Sequence, residues 1–116
     1  MRNFRKYQVW ELGHEITLEV YNLSKQFPKE EQFGLTSQMR RCSSSVPANI
    51  AEGCGRESEK EFKRFLIIAN GSATELEYFL ILVKDLELAE QESIEKLIDK
   101  VDQLKRSLNR LISKLV

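Results

Sequence analysis

The sequence predicts an all-α protein, an antiparallel up-down-up-down four-helix bundle whose second helix is kinked at Pro47. Apolar residues recur every three or four positions in four separate segments, whereas the alternation that is typical of β-strands is absent. The 116 residues contain only five glycines and two prolines, which allows few turns and favours long elements. Short connections between such helices favour antiparallel neighbours, and this length favours a single domain over residues 1–116.

The composition indicates which binding partners and which cellular location to expect. Eighteen basic residues balance eighteen acidic ones, so contact with nucleic acid would need local patches rather than an overall positive charge. Cys42 and Cys54 lie on one predicted helix, about 18 Å apart and therefore beyond disulfide reach. Two reduced thiols, with no signal peptide and no apolar run of about 18 residues, predict a cytoplasmic protein without membrane contact. A single histidine besides these thiols predicts no metal site, and no cofactor is expected.

The first predicted helix runs from about Phe4 to Gln26. The dipeptide Phe27-Pro28 ends it, because a proline disfavours helical geometry in the residue before it. A short second apolar stripe is formed by Trp10, Thr17 and Tyr21. The main stripe consists of Val9, Leu12, Ile16, Val20, Leu23 and Phe27.

The second predicted helix occupies residues 34–56, with Thr36 or Ser37 as its N-cap and with Gly53 and Gly55 at its end. Its three faces differ in character. The apolar stripe, expected to face the bundle, consists of Leu35, Met39, Cys42, Val46, Ile50 and Cys54. The small stripe, expected to allow close packing, consists of Arg40, Ser44, Pro47 and Ala51, bordered by Ser43 and Ala48. The polar stripe, expected to form a hydrogen-bonded groove or a subunit contact, consists of Gln38, Arg41, Ser45, Asn49, Glu52 and Arg56.

Pro47 lies inside this helix and cannot donate a hydrogen bond to the carbonyl of Ser43. The freed carbonyl needs another partner, and a nearby serine hydroxyl or a water is expected to supply it. Two interpretations stay open for the kink. It bends a bundle helix, or it shapes a subunit contact or a ligand groove.

The third predicted helix begins with a capping box, Ser58 with Glu61, and runs to about Leu86. Gly71 lies in its interior and is interpreted as a small residue that permits close helix contact. Residues 78–83 are all apolar or aromatic and point in every direction, so one core can cover only part of them. The remainder predicts a homo-oligomer interface that includes Tyr78, Phe79 and Leu82. The core stripe of this helix is expected to consist of Phe62, Phe65, Leu66, Ala69, Ala73, Leu76, Leu80 and Val83.

The fourth predicted helix runs from about Glu92 to Leu115 with a heptad seam. The seam consists of Leu97, Val101, Leu104, Leu108, Leu111 and Leu115. Basic residues cluster here and at the N-terminus, and both termini of an antiparallel four-helix bundle lie at the same end. Such residues also complement the dipole at a helix C-terminus. The nucleic-acid-binding residues predicted from these clusters are Arg2, Arg5, Lys6, Lys105, Arg106, Arg110 and Lys114.

Catalytic signals are weak. His14 has no cysteine or serine partner at useful spacing, and Glu75 and Glu77 diverge on a helix. No nucleophile-elbow, zinc-protease or phosphate-loop motif occurs, which predicts a protein that is not an enzyme. The turn from Gly53 to Arg56 ahead of the third helix has two interpretations, an anion site or an ordinary tight turn.

Several ordered motifs resemble one family. FP, GLTSQ-RR, S-P-NIAEG-GR, FL-IA-GS and ELE follow one another between residues 27 and 77, and together they resemble the 23S rRNA intervening-sequence proteins over nearly the whole chain. This resemblance implies an antiparallel four-helix bundle that assembles into a ring, typically a pentamer. It also implies kinship to the accessory subunit of diversity-generating retroelements, a pentamer that binds nucleic acid and a reverse transcriptase. The chain departs from the family pattern at Cys42, Ser43 and Cys54, and at LELA before the fourth helix.

These observations predict a non-enzymatic, self-assembling helical adaptor. Its expected partners are further copies of itself, with RNA, DNA or a reverse-transcriptase-like enzyme as the associated nucleic-acid component. The alternative is an oligomeric scaffold that binds proteins and makes no contact with nucleic acid.

Overall fold

The structure is a computed structural model that describes residues 2–115, so the first and last residues of the predicted domain lie outside it. It consists of four α-helices, namely α1 (Gln8–Ser24), α2 (Leu35–Cys54), α3 (Glu59–Asp85) and α4 (Gln91–Ser113). Each helix packs against its neighbours in sequence, and α1 also packs against α4, which closes the antiparallel bundle. The predicted all-α four-helix fold is confirmed, and no residue from 2 to 115 lies in a strand.

The first helix begins at Gln8, four residues later than the predicted start at Phe4. Phe4–Lys6 forms a separate 3₁₀ turn, because Oδ1 of Asn3 accepts a hydrogen bond from the backbone N–H of Arg5 at 3.1 Å. This local bond offers the backbone an alternative to the α-helix. Apolar spacing does not reveal such a break, since Phe4 still packs against the core from the turn.

One predicted cap is confirmed and one is wrong. The hydroxyl of Ser58 accepts a hydrogen bond from the backbone N–H of Glu61 at 3.1 Å, as expected for a capping box. The second helix is preceded by Gly34 instead of Thr36 or Ser37, and it has no side-chain cap. The hydroxyl of Thr36 is buried and has no hydrogen-bond partner among residues 2–115.

The predicted stripes form most of the core. All six residues of the apolar stripe on α2 are buried, and so is every predicted core residue of α3 except the half-buried Phe65. On α4, Ile94 joins the core, whereas Leu111 and Leu115 are only half-buried. A stripe read from spacing therefore identifies the core of α2 and α3 to their ends, and it fails at the C-terminal end of α4.

Pro47 lies where Gly13 of α1 packs closely against α2. A Cβ atom added to Gly13 would lie 3.2 Å from Cγ1 of Val46 and 3.5 Å from Cδ of Pro47.

The hydroxyl of Thr17 lies 2.8 Å from the carbonyl oxygen of Gly13 and 2.9 Å from that of Ser43, so its proton is shared between them. The carbonyl freed by Pro47 is thus satisfied by a threonine of α1 rather than by a serine of α2. The helix continues through Pro47 to its end at Cys54, and a kink there stays a prediction.

Thr17→Val is expected to lower the free energy of unfolding by about 1–3 kcal/mol, because it leaves the buried carbonyl of Ser43 without a donor. Thr17→Ser keeps the hydroxyl and is the matched control. In a Pro47→Ala background the backbone N–H of residue 47 returns to that carbonyl, so Thr17→Val should cost less there. Urea denaturation of the four combinations measures the coupling, and equal costs in both backgrounds would contradict this role of Thr17.

The contact between α1 and α4 is held partly by ion pairs. Nζ of Lys100 lies 2.6 Å from Oε2 of Glu19 and 3.0 Å from Oε1 of Glu15. Hydrogen bonds to these two carboxylates raise the pKa of Lys100. By length and composition alone α3 could cross a membrane. Seven of its residues are buried in the bundle core, and 33% of its most apolar 18-residue window is buried.

Candidate assembly face and nucleic-acid interface

Large apolar side chains are exposed along the side of α3 that faces away from the core. We call this surface the α3 apolar face. It consists of Ile67 (52% exposed), Ile68 (40%), Tyr78 (58%) and Ile81 (45%). A group of such side chains on one helix face is typical of an interaction surface.

The predicted interface residues divide between this face and the core. Tyr78 lies on the α3 apolar face, whereas Phe79 and Leu82 are half-buried and pack partly against the core. The sequence reasoning missed Ile67 and Ile68. They could have been found, because both fall outside the stripe of Leu66, Ala69 and Ala73 although they are large and apolar.

The role expected for Gly71 is not the one that the structure shows. Gly71 is exposed in the middle of the α3 apolar face, and a Cβ atom added to it would have no neighbour within 4 Å. Close helix contact within the chain occurs instead at Gly53, where an added Cβ atom would lie 2.8 Å from Cβ of Phe65. Among residues 2–115 no helix packs closely on Gly71, so the expected contact is not part of the bundle; spacing shows only that a glycine lies in a helix, and not what faces it.

The polar stripe of α2 is only partly available to a partner. The hydroxyls of Ser45 and Ser72 lie 2.9 Å apart across the contact with α3, and Nδ2 of Asn49 donates to the carbonyl oxygen of Ser45 at 2.7 Å. The middle of the stripe therefore joins two helices of the same chain. Gln38 and Arg41 at its beginning are exposed.

The last two residues of the polar stripe of α2 also make contacts within the chain. The guanidinium group of Arg56 lies 3.4 Å from a carboxylate oxygen of Glu52 and 4.8 Å from the ring centre of Phe65. A Cβ atom added to Gly53 would lie 2.8 Å from Cβ of Phe65, so α2 and α3 lie close together at this turn. Both contacts fit a tight turn between helices better than an anion site.

The structure brings the N-terminal and C-terminal basic clusters to one end of the bundle, which we call the terminal end. Lys6, Arg110 and Lys114 line a notch of about 240 Å³ between the first 3₁₀ turn and α4. Its other lining residues are Tyr7, Gln8, Val9, Ser107 and Leu111. The guanidinium group of Arg110 donates to the hydroxyl of Ser107 at 3.1 Å.

The remaining predicted cations are engaged within the chain. Lys105 forms a partly buried ion pair with Glu77 at 2.8 Å, and the exposed Arg106 pairs with Asp102 at 2.8 Å. Glu77 comes from the neighbouring helix, so its proximity to Lys105 does not show in local spacing. Arg2 and Arg5 lie over the aromatic rings of Phe62 and Phe4, at 4.2 Å and 5.5 Å from the ring centres.

The terminal end also carries a group of aromatic side chains. The ring centre of Trp10 lies 5.0 Å from that of Phe4 and 5.2 Å from that of His14, and the Trp10 and His14 rings are stacked at 11°. His14 is therefore an exposed residue that packs on a neighbouring ring. Nothing about this arrangement resembles a catalytic pair.

The cysteines are poor nucleophiles. Both side chains are buried, and burial together with the nearby carboxylate of Glu75 raises the pKa of Cys42 to about 12. Burial also raises the pKa of Cys54. Both thiols therefore stay protonated near neutral pH, whereas thiol chemistry needs the thiolate. Within residues 2–115, no group of three or more His, Cys, Asp or Glu side chains is placed to hold a metal ion.

Comparisons with known proteins agree with this fold. A family model described as 23S rRNA-intervening sequence protein matches residues 5–110. The chain is similar to a crystal structure from Bacteroides thetaiotaomicron VPI-5482, described as a protein with unknown function from the S23 ribosomal protein family, with a TM-score of 0.83 and 28% identity. That similarity covers 90% of this chain and 97% of the other, while no curated protein matches this chain. Since the family match extends over most of its length, the chain belongs to the family of 23S rRNA-intervening sequence proteins.

Proposed function

We propose that this protein is a non-enzymatic adaptor that assembles with copies of itself and presents its basic terminal end to nucleic acid. The observation that carries the proposal is the α3 apolar face, where four large apolar side chains remain between 40% and 58% exposed. Burying apolar surface contributes about 25 cal/mol for each square ångström removed from water, so covering this face favours association. The proposal takes residues 1–116 as one domain, since a single hydrophobic core joins all four helices.

Gly71 supports assembly independently of the apolar side chains. An interior helical glycine costs about 1 kcal/mol relative to alanine, and no neighbour among residues 2–115 requires one at this position. A second copy whose backbone or side chains lie close to α3 would provide such a requirement. The number of subunits, a pentamer, rests on the family resemblance alone.

Contact with nucleic acid is supported by the notch at the terminal end. Lys6, Arg110 and Lys114 line it, and among residues 2–115 no side-chain carboxylate belongs to its lining. Repeated in an assembly, these cations would create a local positive field although each chain has zero net charge. Such contacts neutralise phosphates without reading bases, so binding would depend steeply on salt.

A protein-binding scaffold remains the second candidate, and a different surface favours it. Leu18 and Tyr21 on α1 are 58% and 42% exposed, and the guanidinium group of Arg40 lies 4.7 Å from the ring centre of Tyr21. This surface would suit a partner protein and needs no phosphate. A cytoplasmic location, with both thiols reduced, is part of either proposal.

The test combines light scattering with binding of labelled structured RNA and duplex DNA across a salt series. We expect a mass of several chains, and an affinity that falls at least tenfold between about 50 and 200 mM salt. Lys6→Gln with Arg110→Gln should weaken binding and flatten the salt dependence without changing the mass. The matched control is Lys29→Gln with Lys96→Gln, which removes the same charge from the opposite end of the bundle.

Each result bears on a separate part of the proposal. A mass of one chain at all concentrations would overturn assembly. An assembled protein that binds neither nucleic acid at low salt would overturn the nucleic-acid part and favour the scaffold. Equal effects of the two double variants would show that overall charge, and not the notch, governs binding.

A further inference from the structure

The notch at the terminal end is more specific than a basic surface patch. Three cations line a concave site of about 240 Å³, and Ser107 adds a hydroxyl group. An anion bound between like charges would offset their mutual repulsion. The helix dipole explains why cations are favoured near the end of α4, but it does not explain why Lys6 of the first 3₁₀ turn faces the same space.

The backbone at the start of α1 is compatible with an anion at this place. Tyr7 precedes the helix without a side-chain cap, and the N–H groups of Trp10 and Glu11 bond to its carbonyl oxygen. The preceding N–H groups, of Gln8 and Val9, belong to residues that line the notch. They add a weak positive potential to that of the three cations, which carry most of the charge.

The surroundings of the notch restrict the kind of phosphate that fits. Along the seam between α1 and α4 the notch continues into a second groove, and the two share Gln8 and Ser107. That groove is lined by Glu11 and Glu15. A phosphodiester backbone running along the seam would bring its next phosphates against these carboxylates, so this path is disfavoured for the body of a strand.

The positive charge of the notch also favours a terminal phosphate over an internal one. An internal phosphodiester carries one negative charge, whereas a terminal phosphomonoester carries about 1.5 to 2 at neutral pH and has three acceptor oxygens. The larger charge suits three cations better, and the guanidinium of Arg110 can bind two of the oxygens.

We propose that the notch formed by Lys6, Arg110 and Lys114 binds a terminal phosphomonoester, such as the phosphorylated end of a nucleic-acid strand. This inference rests on the proposed function for the identity of the larger ligand, and it adds that an end, and not the body of the strand, is held here. A free mononucleotide shares the chemistry, so the experiment must separate the two.

The experiment compares oligonucleotides of one sequence, labelled internally, that carry a 5′-phosphate, a 3′-phosphate or no terminal phosphate. We expect a terminal phosphate to tighten binding of the full-length protein about tenfold at constant salt. Lys6→Gln and Arg110→Gln should each reduce that preference to about twofold or less, whereas Lys96→Gln at the opposite end should preserve it. Glu11→Gln should improve binding of the unphosphorylated strand. It would thus reduce the preference by strengthening the weaker complex, whereas the variants of Lys6 and Arg110 weaken the stronger one.

The outcomes separate this inference from the proposed function. Tight but equal binding of all three strands would overturn the inference and leave the proposed function standing. Adenosine 5′-monophosphate, with adenosine as its control, is the small-molecule arm. If it binds the notch while no strand binds, the phosphomonoester site stands and the nucleic-acid function falls. If neither it nor any strand binds, both proposals fall.

Discussion

Replacing Ile67 and Tyr78 together by aspartate is expected to convert the assembled protein into folded monomers. Both side chains lie on the α3 apolar face and are more than half exposed within one chain, so the substitutions should not disturb the core. In an assembly they would place two carboxylates in an apolar contact, where burying an unpaired charge costs several kcal/mol. Association should therefore weaken at least about a hundredfold.

Light scattering measures the mass, which should fall to that of a single 13.5 kDa chain, and circular dichroism should show unchanged helix content. Phe33→Asp is the matched control, because Phe33 is 89% exposed but lies in the connection before α2. It should leave the mass unchanged. If the double variant keeps the mass of the assembly, the α3 apolar face is not the interface.

These positions separate assembly from folding better than Phe79, which the sequence alone made the obvious choice. Phe79 packs partly against the core, so Phe79→Asp would damage the monomer as well as any interface. A loss of mass after that substitution could not be assigned to either cause. The exposed neighbours on the same helix avoid this difficulty.

Gly53→Ala and Gly71→Ala are expected to change stability in opposite directions. The added Cβ atom at Gly53 would lie 2.8 Å from Cβ of Phe65, a contact that only a shift between α2 and α3 can relieve. Such overpacking typically costs about 1–3 kcal/mol, more than the helix propensity gained. The same atom at Gly71 meets nothing within 4 Å, so the monomer should gain up to about 1 kcal/mol.

Each glycine variant is made in a chain that also carries Ile67→Asp and Tyr78→Asp, and its free energy of unfolding is measured by urea denaturation. This background keeps the protein monomeric, because in an assembling protein the measured stability depends on protein concentration. In the assembling protein, Gly71→Ala should weaken association although it stabilises the monomer. Equal stability of the two monomeric variants would mean that the contact at Gly53 relaxes without cost. Unchanged association of Gly71→Ala would remove Gly71 from the interface.

The two proposed interaction surfaces occupy different parts of the bundle. The α3 apolar face runs along one side, whereas the notch lies at the terminal end, between the first 3₁₀ turn and α4. The bundle measures 43 × 23 × 19 Å, so contact through its side leaves the end available. Assembly through the side of α3 would thus repeat the notch in every subunit, so that one assembly presents a separate notch to each of several strand ends.

Periodicity by itself determined the helical class, the four helices and most of the core. Six of six positions in the apolar stripe of α2 are buried, even though two are cysteines. The reason is local, since residues three and four apart share one face of a helix whatever that face meets. The cap at Ser58 is local in the same sense, because donor and acceptor lie within three residues.

The tertiary structure decided every feature that depends on two segments far apart in sequence. Thr17 reaches the carbonyl of Ser43 and Lys105 reaches Glu77, contacts that span 26 and 28 residues. Gly53 and Gly71 look alike in sequence, yet one packs against an aromatic ring and the other faces solvent. Local spacing fixes which face a side chain occupies, but the charge and space that it meets there depend on how the helices are arranged against one another.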